Sequence, residues 1–117
     1  MPAIILRLQT EIQQTKPFES FEEETFLNLQ RTAEALMHGL EAGLKPAGLS
    51  PSQYNVLRIL RGAGAEGLAC GGIAERMVTR DPDMTRLLDR LEARGLVMRA
   101  RDRADRRVIT VRITPEG

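Results

Sequence analysis

The chain has 117 residues, 42% of them hydrophobic, enough for one domain with a modest core. A net charge of +1 hides an asymmetry: residues 1–50 carry four basic and seven acidic side chains, residues 51–117 thirteen and nine, which points to a polyanionic partner for the second half. One cysteine excludes an internal disulfide or a cysteine-cluster metal site, and no apolar run nears the ~20 residues that span a bilayer.

Residues 3–15, AIILRLQTEIQQT, place Ile5, Leu8 and Ile12 at helical spacing. The expectation is an amphipathic arm over residues 1–19, its helix ended near Lys16-Pro17 by the restriction proline puts on its predecessor. So short a helix is marginal alone and must dock, either on its own domain or on a partner chain. The arm's start lacks the basic-then-apolar layout of a secretory signal, so a cytoplasmic protein is expected. Ser20-x-x-Glu23 fits a capping box and opens the main domain, residues 20–117. Phe26, Leu29, Ala33, Leu36, Met37, Leu40 and Leu44 then keep the helical period to about Lys45-Pro46. Such a helix exceeds what a domain this size needs for its own core; it either braces shorter helices or joins a dimer interface. His38 lies mid-helix with no acidic neighbour expected at ligand spacing, and no metal or catalytic role is assigned to it.

Ser50-Pro51-Ser52-Gln53 is a second capping box, with proline at the first helical position. Tyr54, Val56, Leu57 and Leu60 follow on a helix ending near Arg61-Gly62, and the glycine-rich run 62–67 is read as a flexible turn. Leu68 and Ala69 suit a tiny strand. A short helix from Gly71 to Met77 turns Ile73, Ala74 and Met77 inward, and residues 78–81 turn into the next helix.

That next helix, residues 81–94, carries Met84, Leu87, Leu88 and Leu91 along one face. Asp81 suits its cap, Pro82 its first position and Gly95 its left-handed stop. Leu96–Arg101 and Val108–Thr114 alternate as half-buried strands do, and Asp102 to Arg107 form the loop between them. From Arg94 to Arg107 there are six arginines and two aspartates. Fifteen of the seventeen basic residues are arginine, whose planar fork holds two acceptors of a phosphate or a guanine edge. A helix beside a protruding basic ribbon suits a DNA groove and its flanking phosphates. Phe18, Phe21, Phe26 and Tyr54 all lie away from the ribbon, which favours duplex over single-strand readout.

The predicted fold is α+β, mostly α: a winged helix-turn-helix with a long amino-terminal helix and a two- to three-stranded antiparallel wing. No glycine-rich phosphate loop, histidine-paired nucleophile or carboxylate pair suggests an enzyme or a cofactor.

From about Glu24 to Gly117 the chain resembles the multiple-antibiotic-resistance regulator (MarR) family. The resemblance rests on LSPSQYNVLRIL at 49–60, TRLLDRLEARGLVMR at 85–99 and DRRVITVRITPEG at 105–117. It implies a sequence-specific transcriptional regulator of duplex DNA, a repressor acting as a homodimer on a palindromic operator and released by a small, often aromatic, effector. It implies too that residues 81–94 form the recognition helix in the major groove. Its non-core positions are Asp83, Thr85, Arg86, Asp89 and Arg90, with Arg86 the first choice for a base edge and Thr85 for a phosphate. Asp83 and Asp89 either accept from cytosine or fix a neighbour; for Asp89 that neighbour is expected to be Arg86 or Arg90. Arg80 is expected on the backbone beside the turn. By the family's Asp-x-Arg wing pattern Arg107 enters the minor groove and Asp105 braces it, while Arg103 and Arg106 contact phosphate or groove. Arg99 and Arg101 either serve DNA or hold the ribbon to the helix by salt bridges. Met37, Leu40 and Tyr54 are candidate effector lining, with core packing the favoured duty of each, and Cys70 is read as a packing residue more than a redox sensor. The carboxy-terminal dimerisation helices expected of the family are absent from these 117 residues. A winged-helix protein–protein adaptor or antirepressor is the alternative reading.

Overall fold

The computed structural model describes residues 7–117, which fall into two compact units divided after Ala42. In the first, α1 spans Arg7–Glu11 and α2 spans Phe21–Leu44. Ile5 of the predicted arm lies outside the described residues. The arm's helix stops well before Lys16-Pro17: Gln13 adopts φ +55°, and a chain in that left-handed conformation cannot continue the helix. Leu8 is buried within this chain, and Glu11 pairs with Arg31 at 3.5 Å, so the arm docks on its own chain. At the start of α2 the Ser20 hydroxyl accepts from the Glu23 N–H at 3.0 Å, but the Glu23 carboxylate reaches one residue past the expected position and accepts from the Glu19 N–H. No residue of α2 is buried; Leu36, for one, is 70% exposed.

The second unit begins with the end of α2 and a 3-10 turn, Lys45–Ala47. The Ser50–Gln53 box is complete, with the Gln53 N–H donating to the Ser50 hydroxyl at 3.1 Å and the Ser50 N–H to the Gln53 side chain at 3.0 Å. It opens α3, Pro51–Ala63, which runs one residue past the predicted Arg61-Gly62 end. The expected flexible turn is ordered in part as a second 3-10 turn, Gly64–Glu66. Strand β1 (Leu68–Ala69), α4 (Cys70–Arg76), α5 (Met84–Ala93), β2 (Val97–Arg101) and β3 (Ile109–Ile113) complete the unit.

Helix α5 corrects the predicted cap. Asp83, not Asp81, is the cap: its carboxylate accepts from the Arg86 N–H at 3.0 Å, while the Asp81 carboxylate accepts from the Asp83 N–H at 2.8 Å. Pro82 therefore precedes the helix. At the other end Gly95 takes φ +72° as expected, and the Gly95→Glu92 and Leu96→Leu91 backbone bonds make a Schellman stop. The Thr114 hydroxyl then donates to the Gly95 carbonyl at 2.6 Å, fastening the end of β3 to the stop of α5.

The sheet is antiparallel in the order β1-β3-β2. Its register sets Val97 opposite Ile113, Arg99 opposite Val111 and Arg101 opposite Ile109, so these six share a face. Val97 and Val111 on that face close the core with Val56, Leu57, Ile59 and Leu60 of α3, Ile73 of α4, and Leu87, Leu88 and Leu91 of α5. Burying a side chain of this size stabilises by about 1.5–3 kcal/mol, so the leucine stripe fixes which face of α5 stays outside. This is a winged helix-turn-helix.

Candidate nucleic-acid interface

With Leu87, Leu88 and Leu91 inward, Thr85, Arg86, Asp89 and Arg90 are exposed on α5, and Arg80 is exposed in the turn before it. Arg86 and Arg90 line one shallow depression with Asp81, Asp83 and Leu87. Among the described residues Arg80, Arg86, Arg90, Arg103 and Arg106 form no ion pair, so their charge is available to an outside anion.

The tip of the wing is shaped by its own aspartates. Asp102 accepts from the Ala104 N–H at 2.7 Å, and the Asp102 N–H donates to the Val108 carbonyl at 2.8 Å, which closes the loop. Asp105 accepts from Arg107 through the backbone N–H, Nε and Nη2 at 3.1, 3.2 and 3.4 Å. The brace expected between this pair is therefore present, and the Arg107 side chain remains 91% exposed. The Arg107 side-chain and backbone bonds hold the Asp105 carboxyl below the usual carboxylate range. Arg101 folds back along the ribbon, donating to the Arg106 carbonyl at 2.8 Å.

Asp89 does not orient Arg86 or Arg90. It accepts from Arg99 Nη2 on β2, because the sheet register puts Arg99 on the core face beside α5. Glu92, one turn along, completes the arrangement: Arg99 donates to it from the backbone N–H at 2.9 Å, from Nε at 3.1 Å and from Nη2 at 2.8 Å. The Arg99 side chain is only 24% exposed. This ion triad ties the wing to α5. Sequence reasoning missed Glu92, although its three-residue spacing from Asp89 places both carboxylates on one side of the helix.

Hydrogen bonding from Arg99, first by its side chain and then by its backbone, lowers the pKa of Glu92, and the two carboxylates raise that of Arg99. A carboxylate with a depressed folded pKa contributes stability fully above its unfolded value, about 4.3 for glutamate, and loses it as pH falls through the folded value. Glu92→Gln should therefore be less stable than the parent at neutral pH. Solvent screening of this half-exposed group limits the difference to about 1 kcal/mol. Thermal melts from pH 7 to pH 2 should show the gap closing only below the ordinary glutamate range; a gap constant to pH 2 would contradict the assignment.

The remaining predicted residues lie on other elements. Met37 and Leu40 lie one turn apart on α2, and Tyr54 on α3, each more than a third exposed. Cys70 is the first residue of α4, half-buried against the core, as a packing residue would be. His38 does have an acidic neighbour, contrary to expectation: Glu34, one turn back, lies 3.6 Å from its Nε2.

The model of the MarR family matches residues 49–109, from just before α3 to the start of β3. The HTH-type transcriptional repressor MdtR of Bacillus subtilis is 34% identical over 91 residues, which cover 78% of this chain and 57% of MdtR; the chain thus spans little more than half that relative's length. The crystal structure of a MarR transcription factor from Planctomyces limnophilus superposes with a TM-score of 0.73 at 42% identity, over 86% of this chain and 73% of that one. CouR from Rhodococcus jostii, crystallised with p-coumaroyl-CoA, superposes with a TM-score of 0.70 at 32% identity, over 85% and 68%. The chain belongs to the MarR family.

Proposed function

We propose that this chain is the DNA-reading part of a transcriptional repressor that binds a palindromic duplex operator as a homodimer. The observation that carries this is the pairing of an exposed Thr85-Arg86-Arg90 face with the Arg107 finger, the two tied together through Arg99. In this reading Arg86 meets a base edge in the major groove. Thr85, Arg80 and Arg90 hold phosphates, and Arg107 enters the minor groove braced by Asp105. Arg103 and Arg106 steady the wing on the backbone. Being named a repressor, MdtR supports the direction of regulation. The exposed apolar side chains of α2, Leu29 and Leu36 among them, support burial against a second copy. Release by a small aromatic effector belongs to the same reading, supported by the p-coumaroyl-CoA bound to CouR.

The test is a salt titration against two labelled duplexes, one recovered by the protein from a random pool and one of scrambled sequence. The recovered duplex should bind on the order of 10³-fold tighter or more. Affinity for both should fall steeply with salt, with a log–log slope of about −0.9 per phosphate contacted. Equal, weak binding of both would remove operator recognition and leave the adaptor reading.

A further inference from the structure

Arg94 has a task that neither the core nor the DNA face accounts for. It is the carboxy-terminal cap of α5, and its N–H donates to the Arg90 and Glu92 carbonyls. Its side chain leaves the helix and reaches far back along the chain. Nη1 donates to the Gly48 carbonyl and Nη2 to the Ala47 carbonyl, each at 2.8 Å. These carbonyls end the 3-10 turn Lys45–Ala47, which continues α2 without a break: Leu44 keeps right-handed helical geometry, and the Leu49 N–H donates to its carbonyl at 3.3 Å. The negative end of a helical segment thus receives a guanidinium, and a planar fork is the shape that meets two adjacent carbonyls. No described carboxylate pairs with Arg94.

Besides the Thr114 bond that fastens its stop to β3, helix α5 has three attachments. The leucine stripe holds it to the core, the Arg99 triad holds it to β2, and Arg94 holds its last residue to the segment before α3. Of these, Arg94 alone reaches the turn after α2. For a helix roughly 15 Å long, a rock of about 10° about its middle moves each end by roughly 1 Å. That suffices to break a hydrogen bond, and therefore to misplace a base contact.

We propose that Arg94 is a positioning residue for the groove helix: its two-carbonyl grip on the turn after α2 sets the aim of α5 and makes any displacement of that turn a displacement of α5. The proposal rests on α5 being the helix that reads DNA, and its test separates the two ideas. Arg94→Met keeps the apolar stem without donors; Arg94→Lys keeps the charge, but its single ammonium is not a planar fork. Below the unfolding midpoint of every variant, Arg94→Met should lower the preference for the recovered duplex over the scrambled one by about tenfold. Affinity for the scrambled duplex and its salt slope should stay parental, and Arg94→Lys should restore only part of the preference. Parallel weakening on both duplexes with a salt slope smaller by about one would make Arg94 a phosphate contact and overturn the proposal. So would a lowered melting temperature with preference intact, or full rescue by lysine. Residual dipolar couplings of the α5 amides in the free protein test the grip without DNA: Arg94→Met should change the tilt of α5 against α3, and an unchanged tilt overturns the proposal. A parental protein that fails to distinguish the duplexes would instead sink the DNA reading, leaving the tilt measurement to decide the role of Arg94.

Discussion

Arg86→Ala and Arg107→Ala should both impair duplex binding, but in different ways. Arg86 lies in the first turn of α5, where Asp83 holds its backbone N–H and the buried Leu87 and Leu88 fix the direction of the helix face. In the proposed reading this guanidinium meets two acceptors of one guanine, and its loss should cost about 1–3 kcal/mol on the recovered duplex. The loss should be confined to one or two base pairs, with affinity for scrambled DNA little changed. Arg107 stands at the end of a closed loop, almost wholly exposed and steadied by contacts with Asp105 of 3.1 Å and longer. Nothing in that geometry singles out a base edge. A cation in a narrow minor groove answers to width and potential, so Arg107→Ala should weaken both duplexes alike and reduce the salt slope by about one. Selection of new binding sites from a random pool with each variant separates the two outcomes. If Arg107→Ala altered base preference while Arg86→Ala did not, the proposed division of labour would be reversed.

What the sequence made legible is what depends on neighbours in the chain. The Ser50–Gln53 box, the Gly95 stop and the Leu87/Leu88/Leu91 stripe follow from spacings of one to five residues, and each appears where the pattern puts it. The sequence pattern starts helix α5 two residues too early because Asp81 and Asp83 both flank Pro82 and both suit a cap. Only the loop geometry decides that the first serves the second. The charge of the ribbon was legible as a sum but not in its distribution. Three of its six arginines, Arg94, Arg99 and Arg101, are turned to carbonyls and carboxylates elsewhere in the protein, which leaves Arg103, Arg106 and the Asp105-braced Arg107 exposed. The partner of Asp89 was missed for a related reason: it arrives on a strand whose register is set by the hairpin, and helix periodicity carries no trace of it. The tie from Arg94 to residues 47 and 48 was beyond any local pattern.

The largest effect expected on stability comes from a residue with no side chain. Gly64 and Gly67 adopt nearly the same backbone, φ +70°, ψ −154° and φ +68°, ψ −167°, a region essentially reserved for glycine. Their surroundings differ. A Cβ on Gly64 meets nothing within 4 Å, whereas one on Gly67 would lie 2.3 Å from the Val111 carbonyl oxygen and 2.7 Å from Cγ of Arg112. Gly64→Ala should therefore carry the backbone strain alone, about 1–3 kcal/mol. Gly67→Ala carries the same strain and must also push β1 away from β3. Val111 is opposite Leu68 in that pairing, and Arg112 donates to the Ala65 carbonyl at 2.9 Å, so several hydrogen bonds weaken together. At about 1 kcal/mol for each bond lost, Gly67→Ala should fall roughly 2 kcal/mol below Gly64→Ala in denaturant melts. Because β3 also carries one arm of the wing, Gly67→Ala should weaken binding to both duplexes even where the protein is still folded, and Gly64→Ala should not. Equal destabilisation by the two variants would mean that β3 does not approach the Gly67 backbone closely in solution, and that the wing is anchored through α5 alone.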